Sequence, residues 1–490
     1  MMKLVKRILS ALTCTAVSLS SVVFPVNAYY IDENNPNNYD NFAEALQLAL
    51  CFYDANKCGD EVADDGYYSW RGNCHVKDAK IPLVKMTTGD TKNDDLQDSG
   101  KGDGGASAAD GLYVGTNMSD EFIAKNKKYL DPDGDGCVNL TGGWHDAGDH
   151  VKFGLPGTYS ASTIGWGYYE FRDSYIETGL QKHVEDELRW INDYLLKATF
   201  LDENGEVVAY CYQVGEGKND HNYWCAPELQ VDDTYVASSS CAVKRPAYFA
   251  TTETPASDQC AGASASLAIN YLNFKDTDPE YAQKCLKYAV ALYDFAVRTH
   301  SDLGDDSLTV TSLGYDGGFY TSSYDYDELA WAAVWLYYCT ENYDYIDDII
   351  SVDETVTGEM GAHPYTGYMK RIISDTGNCW QNIWTHCWDT VWGGVFAKLA
   401  PVTNISRDWY IFRWNLEFWA GMDAEDASDA EFDVPVTSHK YFGPDDKLWN
   451  TTITADQISQ LPVTDGAFLK KTPAGFAMLN DYGSARYKTA

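Results

Sequence analysis

A chain of 490 residues is long enough for one large domain, or for two to three ordinary ones, and its 45% hydrophobic content supplies a core. The formal net charge of −37, from 73 acidic against 36 basic residues, excludes nucleic acid and anionic membrane surfaces as partners. It suits a neutral polymer or cation-binding sites, and 36 Tyr and 15 Trp provide faces on which apolar sugar C–H groups can stack, although most of these rings are expected to fill a core.

Residues 1–28 read as a secretory leader. Lys3, Lys6 and Arg7 precede a mostly apolar run from Ile8 to Phe24, and Val26-Asn27-Ala28 fits a small-residue cleavage site. No later run is long and apolar enough for a membrane span. Removal of the leader takes Cys14 with it and leaves an even number of cysteines, which permits disulfides in an exported chain. Cys74 with Cys137, flanking one insertion, is the pairing the order suggests, and no C-x-x-C metal spacing occurs. Next, Asn38 to Lys57 is patterned as an amphipathic helix.

Asp90 to Asp110 is rich in Gly, Asp, Ser and Lys and reads as a solvated loop. Asp131-Pro-Asp-Gly-Asp-Gly136 alternates carboxylates and ends on glycine, like the first half of an EF-hand calcium loop. Its twelfth position is Gly142 rather than the bidentate Glu of a full loop, so a tight acidic turn is the competing reading. From Tyr159 onward helical periodicity dominates, with no alternating strand runs. Helices are expected over Tyr159–Thr178, Lys182–Leu201, Gly262–Phe274, Pro279–His300, Asp325–Thr340, Gly361–Ile373, Trp388–Ala400 and Ser406–Ala420. No composition break marks a second domain, so one all-α domain with functional loops is predicted.

The densest chemistry lies in Thr141 to Pro156, T-G-G-W-H-D-A-G-D-H-V-K-F-G-L-P. Asp146 and Asp149 stand three residues apart between glycines that permit sharp turns or close backbone approach. Two carboxylates so placed can hold one water or one cation from two sides. Taken alone they would also serve as ordinary turn caps.

The whole string closely resembles the N-terminal catalytic signature of glycoside hydrolase family 9, the inverting cellulases. Ser69-Trp70-Arg71-Gly72, Arg245-Pro-Ala-Tyr248, the helix from Tyr324 to Tyr337, Trp384-Thr-His-Cys-Trp-Asp389 and the segment Thr472 to Tyr487 resemble further family motifs in order. Relative to that pattern, about 73–140 is an insertion. The resemblance implies an (α/α)6 barrel, incomplete at its last helices, in a catalytic domain spanning 29–490. It implies a secreted endo-β-1,4-glucanase acting on cellulose or a related β-glucan. Asp149 is then the base and Asp146 holds the same water; inverting enzymes set base and acid about 6.5–9.5 Å apart around that water. Substrate contacts fall on His221, Trp224, Trp384, Tyr482, Arg486 and Tyr487, with Tyr482 standing where tryptophan is usual. A structural calcium falls on Ser323, Asp327, Glu328 and Asp389, and no organic cofactor is implied.

The general acid of the family, a Glu in an N-E-x-x-x-D-Y-N-A context, has no counterpart here, nor has the histidine motif that precedes it. The expectation is a C-terminally truncated copy of a longer enzyme whose remaining part can include a docking or binding module. The alternatives are a catalytically silent β-glucan-binding fragment, or a hydrolase of another β-linked polysaccharide such as xyloglucan.

Overall fold

The structure is a computed structural model. It describes residues 42–65, 67–86, 114–220, 225–230, 235–236, 241–242, 245–300, 320, 322, 324–353, 355, 365–372, 386–405, 407–409, 411–412, 468–471 and 477–480. The leader and the Asp90–Asp110 segment lie outside these residues, as do six expected substrate-contact positions: His221, Trp224, Trp384, Tyr482, Arg486 and Tyr487. The expected calcium ligand Ser323 lies outside them too.

By Cα proximity the chain divides into Met1–Gln47 and Leu48–Ala490. Of the first unit only 42–47 is described, the opening of helix α1 (Phe42–Asn56). The second unit is all-α around small sheets. Its longer helices are α2 (Asp120–Leu130), α3 (Gly154–Glu170), α4 (Arg172–Glu177), α5 (Gln181–Ala198), α6 (Ser257–Phe274), α7 (Pro279–Thr299), α8 (Tyr326–Thr340), α9 (Asp344–Ile350) and α10 (Trp392–Thr403).

Helix α6 sits at the centre, nearly every residue buried, against α3, α7 and α8. Its small residues explain this: a Cβ on Gly262 would meet Thr158 Oγ1 at 2.6 Å, so α3 and α6 touch backbone to side chain. Two of the serines that make α6 look polar are satisfied internally. Ser264 Oγ donates to Ala289 O at 2.7 Å, and Ser266 Oγ to Asn192 Oδ1 at 2.9 Å. Helix α7 starts as its sequence dictates, with Pro279 in the first turn and the Asp278 carboxylate accepting from Tyr281 N.

Six of the eight helices expected from Tyr159 onward are present with shifted ends. The Tyr159–Thr178 stretch begins earlier, at Gly154, because Pro156 in the first turn removes only a donor that has no intrahelical partner. It then breaks at Phe171 into α3 and α4. The Trp388–Ala400 helix starts later, at Trp392, where Val391 N–H is held by Asp327 Oδ2 at 2.7 Å. Of Gly361–Ile373 the described part is a 3₁₀ turn, Tyr368–Ile372, and of Ser406–Ala420 only short helical pieces are described.

The Cys74–Cys137 pairing fails, and one strand forms that the sequence does not mark. Strand β5 (Val207–Val214) is eight residues long and anchors a four-stranded antiparallel sheet with β3 (Lys152–Phe153), β4 (Thr199–Leu201) and β6 (Ala247–Ala250). It is buried on both faces, so its apolar run shows no alternation and its sequence carries no period-two signal. Cys74 and Cys137 are both free thiols, and Cys74 Sγ accepts from Arg71 Nη2 at 3.5 Å. Cys137 instead lies in a two-residue ladder, β1 (Ile81–Pro82) with β2 (Cys137–Val138).

Candidate active site

Thr141 to Phe153 forms a loop that enters β3, and β3 pairs Lys152 with Val214 and Phe153 with Gln213. Every turn of the loop is tied down. Gly143 O accepts from Cys58 N and from Trp190 Nε1, each at 2.9 Å. His145 N donates to Asn56 O at 2.8 Å, and Lys197 Nζ to Thr141 O at 2.9 Å. Gly143 has φ +79°, and a Cβ there would stand 2.9 Å from the Tyr194 ring, so both conformation and space demand glycine. Trp144 lies beneath the loop, 6% exposed and 4.7 Å from the Tyr53 ring, as a packing residue.

Under the loop lies a buried charge cluster. Arg245 donates to both oxygens of Asp78 at 2.8 and 3.1 Å, and Lys152 Nζ stands 2.9 Å from Asp78 Oδ2. Burial alone would raise the Asp78 carboxyl, but the charges of Arg245 and Lys152 overturn it and hold it below the carboxylate range. The two cations also reach the loop itself. Lys152 Nζ donates to Leu140 O at 2.5 Å and Gly142 O at 3.1 Å, and Arg245 to His150 O at 2.8 Å. These bonds join sequence positions too far apart for any local motif to reveal.

On this support the two aspartates differ. Asp149 is 1% exposed, its Oδ2 accepting from Val151 N at 3.4 Å, while Asp146 is half-buried. Asp146 N donates to Val151 O at 3.0 Å, which closes the turn between them. Tyr320 Oη donates to Asp146 Oδ2 at 2.6 Å, and the Tyr320 ring is held edge-on by Phe153 and Trp388 at 4.9 and 5.0 Å. Burial first, then the negative charge of Asp146, pushes the Tyr320 phenol well above its usual value, so it remains a neutral donor. Tyr320 was not among the expected site residues. A pocket lined by Phe52, Tyr53, Asp146, Phe153 and Tyr212 opens beside the loop.

Four buried ligand atoms converge next to Asp146. Cys58, Cys74, His75 and His145 place one donor each within 4.8 Å of one another. His75 Nδ1 lies 3.0 Å from His145 Nε2, and the other nitrogen of His75, Nε2, donates to Gln230 Oε1 at 2.6 Å. Two sulfurs and two imidazoles with one ring oriented from behind form the donor set of a tetrahedral zinc site. Burial, then the neighbouring imidazoles, holds His145 well below its usual range, which keeps it neutral as a ligand must be. The adjacent pair Cys74-His75 is the one trace of this centre in the sequence.

Of the expected calcium ligands, Asp327 and Glu328 open α8, and Asp389 lies two residues before Val391, which Asp327 holds. Asp327 is fully buried, Glu328 is 3% exposed and Asp389 1%. Asp327 Oδ1 and both Glu328 oxygens have no hydrogen-bond partner. Burial, and for Glu328 also the charges of Asp327 and Asp258, pushes Asp327 up to about 7 and Glu328 well above its usual value. Orphaned buried carboxylate oxygens of this kind fit a hard divalent cation. Their oxygens are not drawn to within 4.8 Å of one another, as those of the tightest clusters are. The segment carrying Asp389 also carries Trp388, whose ring packs on Tyr320, so this region is joined to Asp146 through one aromatic contact.

No helix among the described residues is long and apolar enough to cross a membrane. The family model described as "Glycosyl hydrolase family 9" matches residues 42–490. Endoglucanase A of Bacillus pumilus is 31% identical over 316 residues, 64% of this chain and 36% of that protein. An endoglucanase of Dictyostelium discoideum is 34% identical over 312 residues, 64% of this chain and 34% of that one. The chain thus spans about a third of the length of these curated relatives. Among solved structures, the catalytic domain of Clostridium thermocellum CelT matches with 39% identity and a TM-score of 0.58, covering 78% of this chain and 68% of that one. The cellulase Cel9M of C. cellulolyticum matches with 30% identity and a TM-score of 0.53, covering 78% and 66%. The helical architecture is that of these domains, an (α/α)6 barrel. The glycine-bound aspartate pair and the match over nearly the whole chain make this protein a member of glycosyl hydrolase family 9.

Proposed function

We propose that this chain supplies the base of β-1,4-glucan hydrolysis by single-displacement inversion, and that the base is Asp149. The observation that carries the reading is the pairing of buried Asp149 with half-buried, tyrosine-bound Asp146 on one immobilised turn. Asp149 takes a proton from water as the water oxygen bonds to the anomeric carbon and the glycosidic C–O bond breaks. Asp146 accepts the second water hydrogen bond and, charged and fixed by Tyr320, sets the direction of attack. The proton for the leaving oxygen comes from a general acid assigned to no residue of 1–490. The names of the relatives, and a Cel9M structure in complex with cellobiose, support a cello-oligosaccharide substrate.

The leader reading makes the protein an exported enzyme working outside the cell. Zinc at Cys58, Cys74, His75 and His145 would fix the backbone one residue from Asp146. Calcium held by Asp327, Glu328 and Asp389 would supply the positive charge their buried oxygens lack, bracing the Trp388 wall behind Tyr320.

Two substrates test this. 2,4-Dinitrophenyl β-cellobioside loses its phenolate without protonation, so it needs only the base, whereas carboxymethyl cellulose needs base and acid. Asp149-dependent turnover of the aryl glycoside is expected, and turnover of both would place an acid within the chain. Tight binding of cello-oligosaccharides with no turnover of either substrate would replace this reading by that of a β-glucan binder.

A further inference from the structure

The acidic turn at the end of the insertion lies outside the catalytic machinery. Helix α2, capped by Ser119, ends at Asp131, and the chain then turns through Asp133 and Asp135. Each of the three carboxylates offers an oxygen within 4.8 Å of the other two. That span is twice a calcium–oxygen bond of about 2.4 Å, so one ion can touch all three. The turn is not simply self-satisfied. Asp131 is 4% exposed, and while its Oδ2 accepts from Gly136 N at 3.0 Å and pairs with Lys127 at 3.2 Å, its Oδ1 is buried without a hydrogen-bond partner. A carboxylate oxygen shut away from water and from donors is expensive, and a cation on that side removes the cost.

The backbone agrees. Gly134 and Gly136 have φ of +77° and +81°, with open space where a Cβ would be, so conformation alone selects glycine at both. Val138, two residues beyond Gly136, is buried and laddered to Ile81, fixing the exit of the turn. Asn139 Oδ1 is already used, accepting from Thr141 N at 3.1 Å and Thr141 Oγ1 at 2.8 Å. Lys80 meets Asp135 Oδ2 from outside, but neither it nor Lys127 is bonded to Asp131 Oδ1.

We propose that Asp131, Asp133 and Asp135 bind one calcium ion, with water completing the shell. Calcium suits this set better than magnesium, because it tolerates irregular geometry and a high water count. Without a bidentate Glu at the twelfth position the affinity falls at the weak end for such loops, with Kd about 10⁻⁴–10⁻³ M. The ion would brace the passage from α2 into Thr141, the first residue of the loop that carries the catalytic aspartates. Lys80, 63% exposed, competes for the site and is displaced on binding.

Equilibrium dialysis of the chelator-treated full chain against radioactive calcium at millimolar concentration tests this. The wild type should bind one calcium more per chain than Asp133→Asn/Asp135→Asn. Both substituted residues are exposed, so circular dichroism in chelator should be the same for the two proteins. Lys80→Ala should tighten the additional site several-fold. Equal stoichiometry in wild type and double variant, or a wild type that loses all bound calcium with Asp327→Asn alone, would overturn the proposal.

Discussion

Tyr320 Oη donates a 2.6 Å hydrogen bond to Asp146 Oδ2 across 174 positions of sequence. The phenol can only donate here, so it stabilises the aspartate and holds its orientation. Tyr320→Phe keeps the ring between Phe153 and Trp388 and removes the bond to Asp146. Turnover of an aryl cellobioside should fall by about 10- to 100-fold with KM little changed, matching the loss of a hydrogen bond to a charged group. An unchanged rate would contradict this role.

The Asp78–Arg245–Lys152 cluster is the mechanical base of the loop. Asp78→Asn leaves two buried cations facing a neutral amide, and breaking a buried pair by removing one partner costs about 3–5 kcal/mol. Denaturant unfolding should show that loss, while the exposed Lys80→Ala should leave the midpoint where it is. Equal midpoints for Asp78→Asn and wild type would mean the cluster bears no strain.

Zinc at Cys58, Cys74, His75 and His145 predicts one equivalent of metal per chain by elemental analysis. Cys74→Ser should reduce it to near zero and lower Tm by about 5–10 °C. A zinc chelator should lower the wild-type Tm and leave that of the variant alone. A wild type carrying no zinc after growth in zinc-supplemented medium would rule this out.

Glu187 predicts a pH effect. It is fully buried on α5, facing Asp54, Lys57 and His183, with Lys57 Nζ 2.8 Å away. Burial first, then the neighbouring Asp54, pushes its carboxyl up to about 9 despite the lysine. A folded pKa above the unfolded value means that its stability contribution is present in acid and lost as pH rises through about 9. Between pH 5 and 9 the wild-type midpoint should therefore fall relative to Glu187→Gln. Parallel curves for the two proteins would show that Glu187 is charged throughout.

The residues that carry chemistry within one stretch were readable from the sequence. Asp146 and Asp149 among their glycines, and the helices with their caps, follow from local pattern and spacing. What holds the stretch was not. Asp78 with Arg245, Tyr320 with Asp146, and Cys58 with His145 meet only after folding, and each residue alone has an ordinary surface or core reading. Strand β5 was missed for a different reason: burial on both faces removes the alternation that marks a strand. The acidic run at Asp131 shows the converse, since its pattern was visible while its buried, unpartnered Oδ1 was not.

The most direct measurement is the anomeric form of the first product. NMR spectroscopy of early turnover of a β-cellobioside should show α-cellobiose before mutarotation, with Asp149→Asn slowing its release at least about a thousandfold. Initial β-cellobiose, or an Asp149→Asn rate equal to that of the wild type, would contradict single displacement with Asp149 as base.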